Sequence, residues 1–186
     1  MIMYRVGTVI KKGLMIMAYI SKERKVEIKD RIDGSLKEKG LGRSVKFSMK
    51  IENYSKLVLN ISACKVDLKE NLMNRLNERK NELLNSGCYS VIELESIENY
   101  IGRNERIDVD SEWNRDLKFH YHSSNSKEDL GKFFSGEALE ILWSIHEAVH
   151  VGWYNNSDAM SDYFDVDFYF DLNIGDNKGG FKVINK

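Results

Sequence analysis

The sequence contains no proline, against an average usage of about 5%. This excludes a PxxP ligand and a proline-rich linker. Alanine is nearly as scarce, with Ala18, Ala63, Ala138, Ala148 and Ala159 the only five, while Lys, Asn and Ile are plentiful. Pro and Ala codons are GC-rich, so this composition points to an AT-rich bacterial or phage genome. Two cysteines, Cys64 and Cys88, are too few for a disulfide scaffold, and no CxxC occurs. They read as free buried thiols in a reducing cytoplasm. No window approaches eighteen uninterrupted apolar residues, so no membrane span is expected, and the expected location is the cytoplasm.

What is present is ordinary for a globular chain. The 186 residues include 42% hydrophobic and 31% charged side chains, enough for one domain that needs no metal or disulfide to fold. The first residues stand apart. Lys11-Lys12-Gly13 can be encoded by a purine run resembling a ribosome-binding site just upstream of Met15 and Met17. A secretory signal is the competing reading, but its charges would sit inside the apolar run. The expectation is an upstream extension over residues 1–16 and a single α+β domain over 17–186.

Periodicity sketches that domain. Ser21 can cap a helix carrying Ile28, Ile32 and Leu36 on one stripe, ended by Gly40 and Gly42. Val45, Phe47, Met49 and Ile51 alternate with polar residues, then Leu57, Leu59, Ile61 and Ala63 alternate again across a turn at 52–55. This is a hairpin. Asp67 can cap a second helix with Leu68, Leu72, Leu76 and Leu83 on one side, stopped by Gly87. A strand is expected near 90–94, irregular structure after it, and another strand at 117–122. A third main helix should run from Ser135 or Gly136 to His150, and 165–174 alternates strictly enough for a strand. The fold class is therefore α+β, a single domain with three main helices packed on an antiparallel sheet with a central hairpin.

Charge is bipolar along the chain. Residues 1–80 hold 19 Lys/Arg against 9 Asp/Glu, and residues 81–186 hold 9 against 20. A basic half of this kind offers a nucleic-acid-binding module as one reading, although no RNP motif, helix-turn-helix or zinc-finger spacing occurs. The plainer reading is that the halves fold together and neutralise each other.

His146-Glu147-Ala148-Val149-His150 matches HExxH. On a helix the two histidines share a face and can hold zinc, with the glutamate as general base on the metal-bound water. Asp158, Asp162, His120 and His122 are the candidate third ligands. The longer HExxHxxGxxH form fails, because Gly152 is one position early and Asn156 stands where its third ligand would be; no glutamate follows His150. The alternative is a semi-polar stripe of Leu139, Trp143, His146 and His150 beside the core. A zinc-dependent hydrolase is thus a second reading, with no catalytic residue, metal or cofactor assigned in the first.

The strand at 165–174 presents Asp165, Asp167 and Asp171 on one face, with Asp158 and Asp162 on the loop before it. Neighbours two apart on a strand lie about 6.6 Å apart. Such a row can imitate a phosphate backbone and occupy the basic groove of a nuclease. Two competing readings are a solvated sheet face and a row paired with the chain's own basic first half. Asp158, Asp162, Asp165, Asp167 and Asp171 are the candidate partner-binding residues.

The stretch NSDAMSDYFDVDFYFDLNIG at 156–175 resembles the C-terminal pattern of a small domain of phages, plasmids and conjugative elements. That domain occurs alone or within large "polyvalent" proteins. Tyr19-Ile20-Ser21 and the hairpin ending in LVLNIS match its other pieces. The tail GDNKGGFKVINK and the HEAVH motif depart from it. KLVLNISACKVDLKENLMNRL also resembles a strand-then-helix segment of anti-CRISPR proteins that inhibit type II-A Cas9. These resemblances imply a non-enzymatic cytoplasmic accessory protein of a mobile element, without cofactor, that counters host defence by binding a host protein such as a Cas nuclease.

Overall fold

A computed structural model describes residues 18–85, 90–110, 126–156 and 165–184. In chain order the elements are α1 (Lys22–Glu38), β1 (Val45–Glu52), β2 (Lys56–Cys64), α2 (Leu68–Asn85), α3 (Val91–Arg103), β3 (Ile107–Asp110), α4 (Lys127–Leu130), α5 (Gly136–His150), β4 (Tyr169–Ile174) and β5 (Lys182–Val183). The 1–16 extension, Cys88, His120, His122, Asp158, Asp162 and the strand expected at 117–122 lie outside the described residues.

The helix ends follow local chemistry. Ser21 Oγ accepts the Arg24 amide at 3.0 Å and opens α1. At its other end Leu41 N–H reaches the Leu36 carbonyl at 2.7 Å and Gly40 N–H reaches Lys37 at 3.0 Å, a paired closure made possible by a glycine past the cap. Asp67 Oδ1 accepts the amides of Lys69 and Glu70, each at 3.0 Å, and opens α2.

The segment expected as a strand at 90–94 is instead the first turns of α3. Ser90 Oγ accepts the Glu93 amide at 3.3 Å while Glu93 Oε2 accepts the Ser90 amide at 2.8 Å. This reciprocal box satisfies two helix-start donors. Leu94, Ile97 and Ile101 are buried on one side, at helical rather than strand spacing. The irregular structure expected after 94 is likewise replaced, by the rest of α3 and by β3. Among the described residues the long helices are thus four.

The sheet order is β1-β2-β4-β3, with β5 pairing β2 beyond the end of β4. β1–β2 and β3–β4 are antiparallel, but β2–β4 and β2–β5 are parallel. The sheet is therefore mixed, not antiparallel as expected. The cause is the long helical crossover after β2, which brings the chain back to the end where β2 starts: Tyr169 N–H bonds Ser55 O at 2.9 Å. A parallel neighbour requires such a crossover.

The side chains of β1, β2 and β4 that face the helices include Phe47, Met49 and Ile51; Leu57, Leu59 and Ile61; and Phe170, Leu172 and Ile174. They meet Ile28, Ile32 and Leu36 of α1, Leu68, Leu72 and Leu76 of α2, and Ile141, Leu142, Ile145 and Val149 of α5 in one core. Cys64 is a free buried thiol, and burial pushes its pKa up. The expected continuous strand at 165–174 is shorter. Only Tyr169–Ile174 is strand; Val166 makes a lone bridge to Asn155.

Candidate interaction surface

Four chain segments meet at the end of the sheet where β2 and β4 begin. Tyr19 N–H bonds Asp167 O at 2.9 Å, Asp167 N–H bonds Tyr154 O at 3.0 Å, and Ile20 N–H bonds Tyr54 O at 2.8 Å. These bonds bring together the backbones of Tyr19, Tyr54 and Tyr154, residues that are exposed at 61%, 78% and 41%. Val151 is exposed beside them, and its carbonyl accepts from Arg24 Nη2 and Arg31 Nη1, each at 3.0 Å. Two guanidinium groups thus sit at the C-terminal end of α5, where the helix dipole favours cations.

Tyr54 is held in an unfavourable backbone conformation. In the β1–β2 turn, Asn53 has φ 50° and Tyr54 φ 60°. Turns of this hand favour Asn followed by Gly. A bulky residue in the left-handed region costs about 1–2 kcal/mol. With 78% of its surface exposed, Tyr54 recovers little of that cost by packing.

The aspartate row does not form as one exposed face. Asp171 is only 8% exposed, on a strand flanked by β2 and β3. Its Oδ2 accepts from Lys56 Nζ at 3.0 Å. Burial, opposed by Lys56, raises its pKa above the ordinary 3.8. Asp167 lies before the strand, half-buried, with Oδ2 3.9 Å from Arg24; burial, opposed by Arg24, raises its pKa as well. Asp165 Oδ2 accepts from Asn156 Nδ2 at 3.3 Å. Lys56 and Arg24 both belong to the basic first half. An Asp167→Lys reversal therefore sets an ammonium against Arg24 rather than changing a solvated site.

The same cross-pairing runs through the molecule. Lys39 meets Glu147 at 3.7 Å and Lys80 meets Glu98 at 3.1 Å. Four ion pairs thus join the two halves among the described residues, and exposed pairs of this kind contribute little individually.

The HExxH helix packs as a stripe. The His146 ring stacks on Trp143 with centroids 5.1 Å apart, and the His146 and His150 centroids are 3.9 Å apart. His150 also meets Phe170 edge-on at 5.8 Å, and its Nδ1 lies 2.9 Å from the His146 carbonyl. Glu147 points the other way, to Lys39 on α1. A zinc hydrolase needs that carboxylate beside the metal-bound water. Among the described residues no group of three His, Cys, Asp or Glu side chains converges as a metal site, and no helix is long and apolar enough to cross a membrane.

The tyrosine cluster is absent from the candidates read in the sequence. Its residues are scattered along the chain, and only the strained turn at Asn53-Tyr54 leaves a local trace. No family model, curated protein or solved structure matches the chain.

Proposed function

We propose that the protein is a non-enzymatic accessory protein of a phage or other mobile element that binds a host defence protein, most specifically a type II-A Cas nuclease. The contact surface is the end of the sheet bearing Tyr19, Tyr54 and Tyr154, flanked by Asp165 and Asp167. The observation that carries this reading is Tyr54, a large side chain kept at positive φ and left 78% exposed. Backbone strain of this kind collects at functional sites. Tyrosine is the side chain that interfaces concentrate, because it brings a large rigid apolar body and a hydroxyl together. The mobile-element assignment rests on the resemblance at 156–175 and on the AT-rich composition.

The aspartates act here as flanking charge rather than as a full phosphate mimic. Asp171 is engaged by Lys56 and Asp167 lies 3.9 Å from Arg24, so the aspartates add acidic character beside the tyrosines, a charge complementary to a basic partner. The test is a DNA-cleavage titration with a purified type II-A Cas nuclease and guide RNA. Stoichiometric inhibition, with the protein co-eluting with the nuclease, is expected. Full cleavage at excess protein, with no co-elution, refutes the nuclease assignment.

A further inference from the structure

Among the described residues β1 has one strand neighbour, β2, and its other side is an edge. The strand is eight residues long, Val45–Glu52. The irregularity in the hairpin, between Lys46 and Phe47, places the extra residue, Ser62, on β2. The carbonyls of Ser44, Lys46 and Glu52 all accept from the β2 side, from Lys65 N, Ser62 Oγ and Ser55 N at 2.8, 3.3 and 3.2 Å. Alternation along a strand then turns the N–H and C=O groups of Phe47, Met49 and Ile51 outward. The side chains of those three residues lie on the core face and are only half-buried, because the sheet ends there.

An exposed edge of this length is ordinarily blunted by lysine. Here Lys46 and Lys50 are exposed on the polar face, with Ser48 between them and Glu52, half-buried and 2.5 Å from Lys50, at the end. The order Lys-Ser-Lys-Glu is self-complementary about Met49. Place a second β1 antiparallel with Met49 opposite Met49. Lys46 then faces Glu52, Ser48 faces Lys50 and Phe47 faces Ile51, each twice by symmetry. Shifting the register by one pairing step in either direction sets Lys46 against Lys50, or Lys50 against Lys50. The lysines thus forbid the neighbouring registers and permit one.

We infer that a second copy of this chain docks on β1, pairing edge to edge in the Met49–Met49 register and joining the two sheets into one. Phe47, Met49 and Ile51 of each copy exchange backbone hydrogen bonds with those of the other, and their half-exposed side chains cover one another. The pairing is isologous, so it closes at a dimer and does not propagate. The surface is small, and the association is concentration-dependent.

The test is sedimentation of the full chain over a concentration series, with Lys46→Glu, Glu52→Lys and the double exchange. The wild type should dimerise. Each single reversal opposes like charges twice and should raise the dissociation constant about tenfold or more. The double exchange should restore it. A wild type that stays monomeric overturns the inference, as does a dimer indifferent to both reversals or unrescued by the double exchange. If a reversal loosens the hairpin itself, Met49→Cys replaces it. A short bifunctional thiol crosslinker should then give a covalent dimer through residue 49, since the two copies' residues 49 lie directly opposite one another. No covalent dimer, in a folded protein, refutes the register.

Discussion

Gly175 closes β4, and replacing it with alanine tests whether the sheet end is built as the structure has it. Its φ is +91°, and a Cβ added there would lie 2.2 Å from the carbonyl oxygen of Glu105 and 3.2 Å from that carbonyl carbon. Both are backbone atoms, so no side chain can swing aside. The left-handed conformation costs an alanine about 1–2 kcal/mol. Moving Gly175 away from Glu105 instead strains the bond from its N–H to Ile61 O, now 2.8 Å, and the loss of one such bond costs about 1 kcal/mol. The stiffer unfolded chain of alanine returns about 0.4–1 kcal/mol. With the remaining overlap, Gly175→Ala should destabilise by about 3 kcal/mol, a large effect for one methyl group. Gly34, inside α1, is the control. Nothing lies within 4 Å of its added Cβ, so Gly34→Ala should stabilise by about 0.5–1 kcal/mol through helix propensity alone. Urea unfolding followed by circular dichroism measures both. A Gly175→Ala loss below about 1 kcal/mol, or equal effects at the two sites, would refute the geometry.

Ser90→Ala removes half of the α3 capping box and should cost about 1 kcal/mol in the same unfolding assay. Asp171 has its pKa raised by burial, so the folded state holds a proton more tightly than the unfolded one. Its contribution to stability therefore grows as pH falls from neutral toward the ordinary value of 3.8 and is lost as pH rises through the folded pKa. Melting temperature against pH should lose that component in Asp171→Asn; an unchanged profile contradicts the burial. His146→Ala, at a position 3% exposed and stacked on Trp143, should destabilise by about 2–3 kcal/mol as a packing defect. A chelator should leave the wild-type melting temperature unchanged, since His146 and His150 act in packing; a large fall on chelation reverses that assignment.

The legible parts of this fold are those where one element states its own period. The α1 stripe of Ile28, Ile32 and Leu36, the hairpin alternation and the α5 face are local; the α1, β2 and α5 positions are buried as their spacing requires, and Phe47, Met49 and Ile51 are half-buried at the sheet edge. Between 90 and 103 the apolar residues do not alternate. Ser90 and Glu93 carry the helix-start signature, and Leu94, Ile97 and Ile101 the period, but a β-branched beginning at Val91-Ile92 reads as strand. Sheet direction is a different matter. Whether β4 runs parallel or antiparallel to β2 depends on where the crossover delivers the chain, and no residue of β4 encodes that. Asp171 is non-local too: its alternation reads as an outer face, but the folded chain buries it against Lys56 of β2. The tyrosine surface needs four distant segments to be brought together, so only the turn at Asn53-Tyr54 marks it in the sequence.

On the proposed function, Tyr54 is held under strain for contact with a partner and not for the fold. The most direct measurement sets the affinity of Tyr54→Asn for a type II-A Cas nuclease beside its melting temperature. Asparagine tolerates positive φ, so the variant should melt at or above the wild type. Binding should weaken about thirtyfold or more, the scale of an interface hot spot. A variant that melts as predicted yet binds the nuclease as tightly as the wild type contradicts the claim.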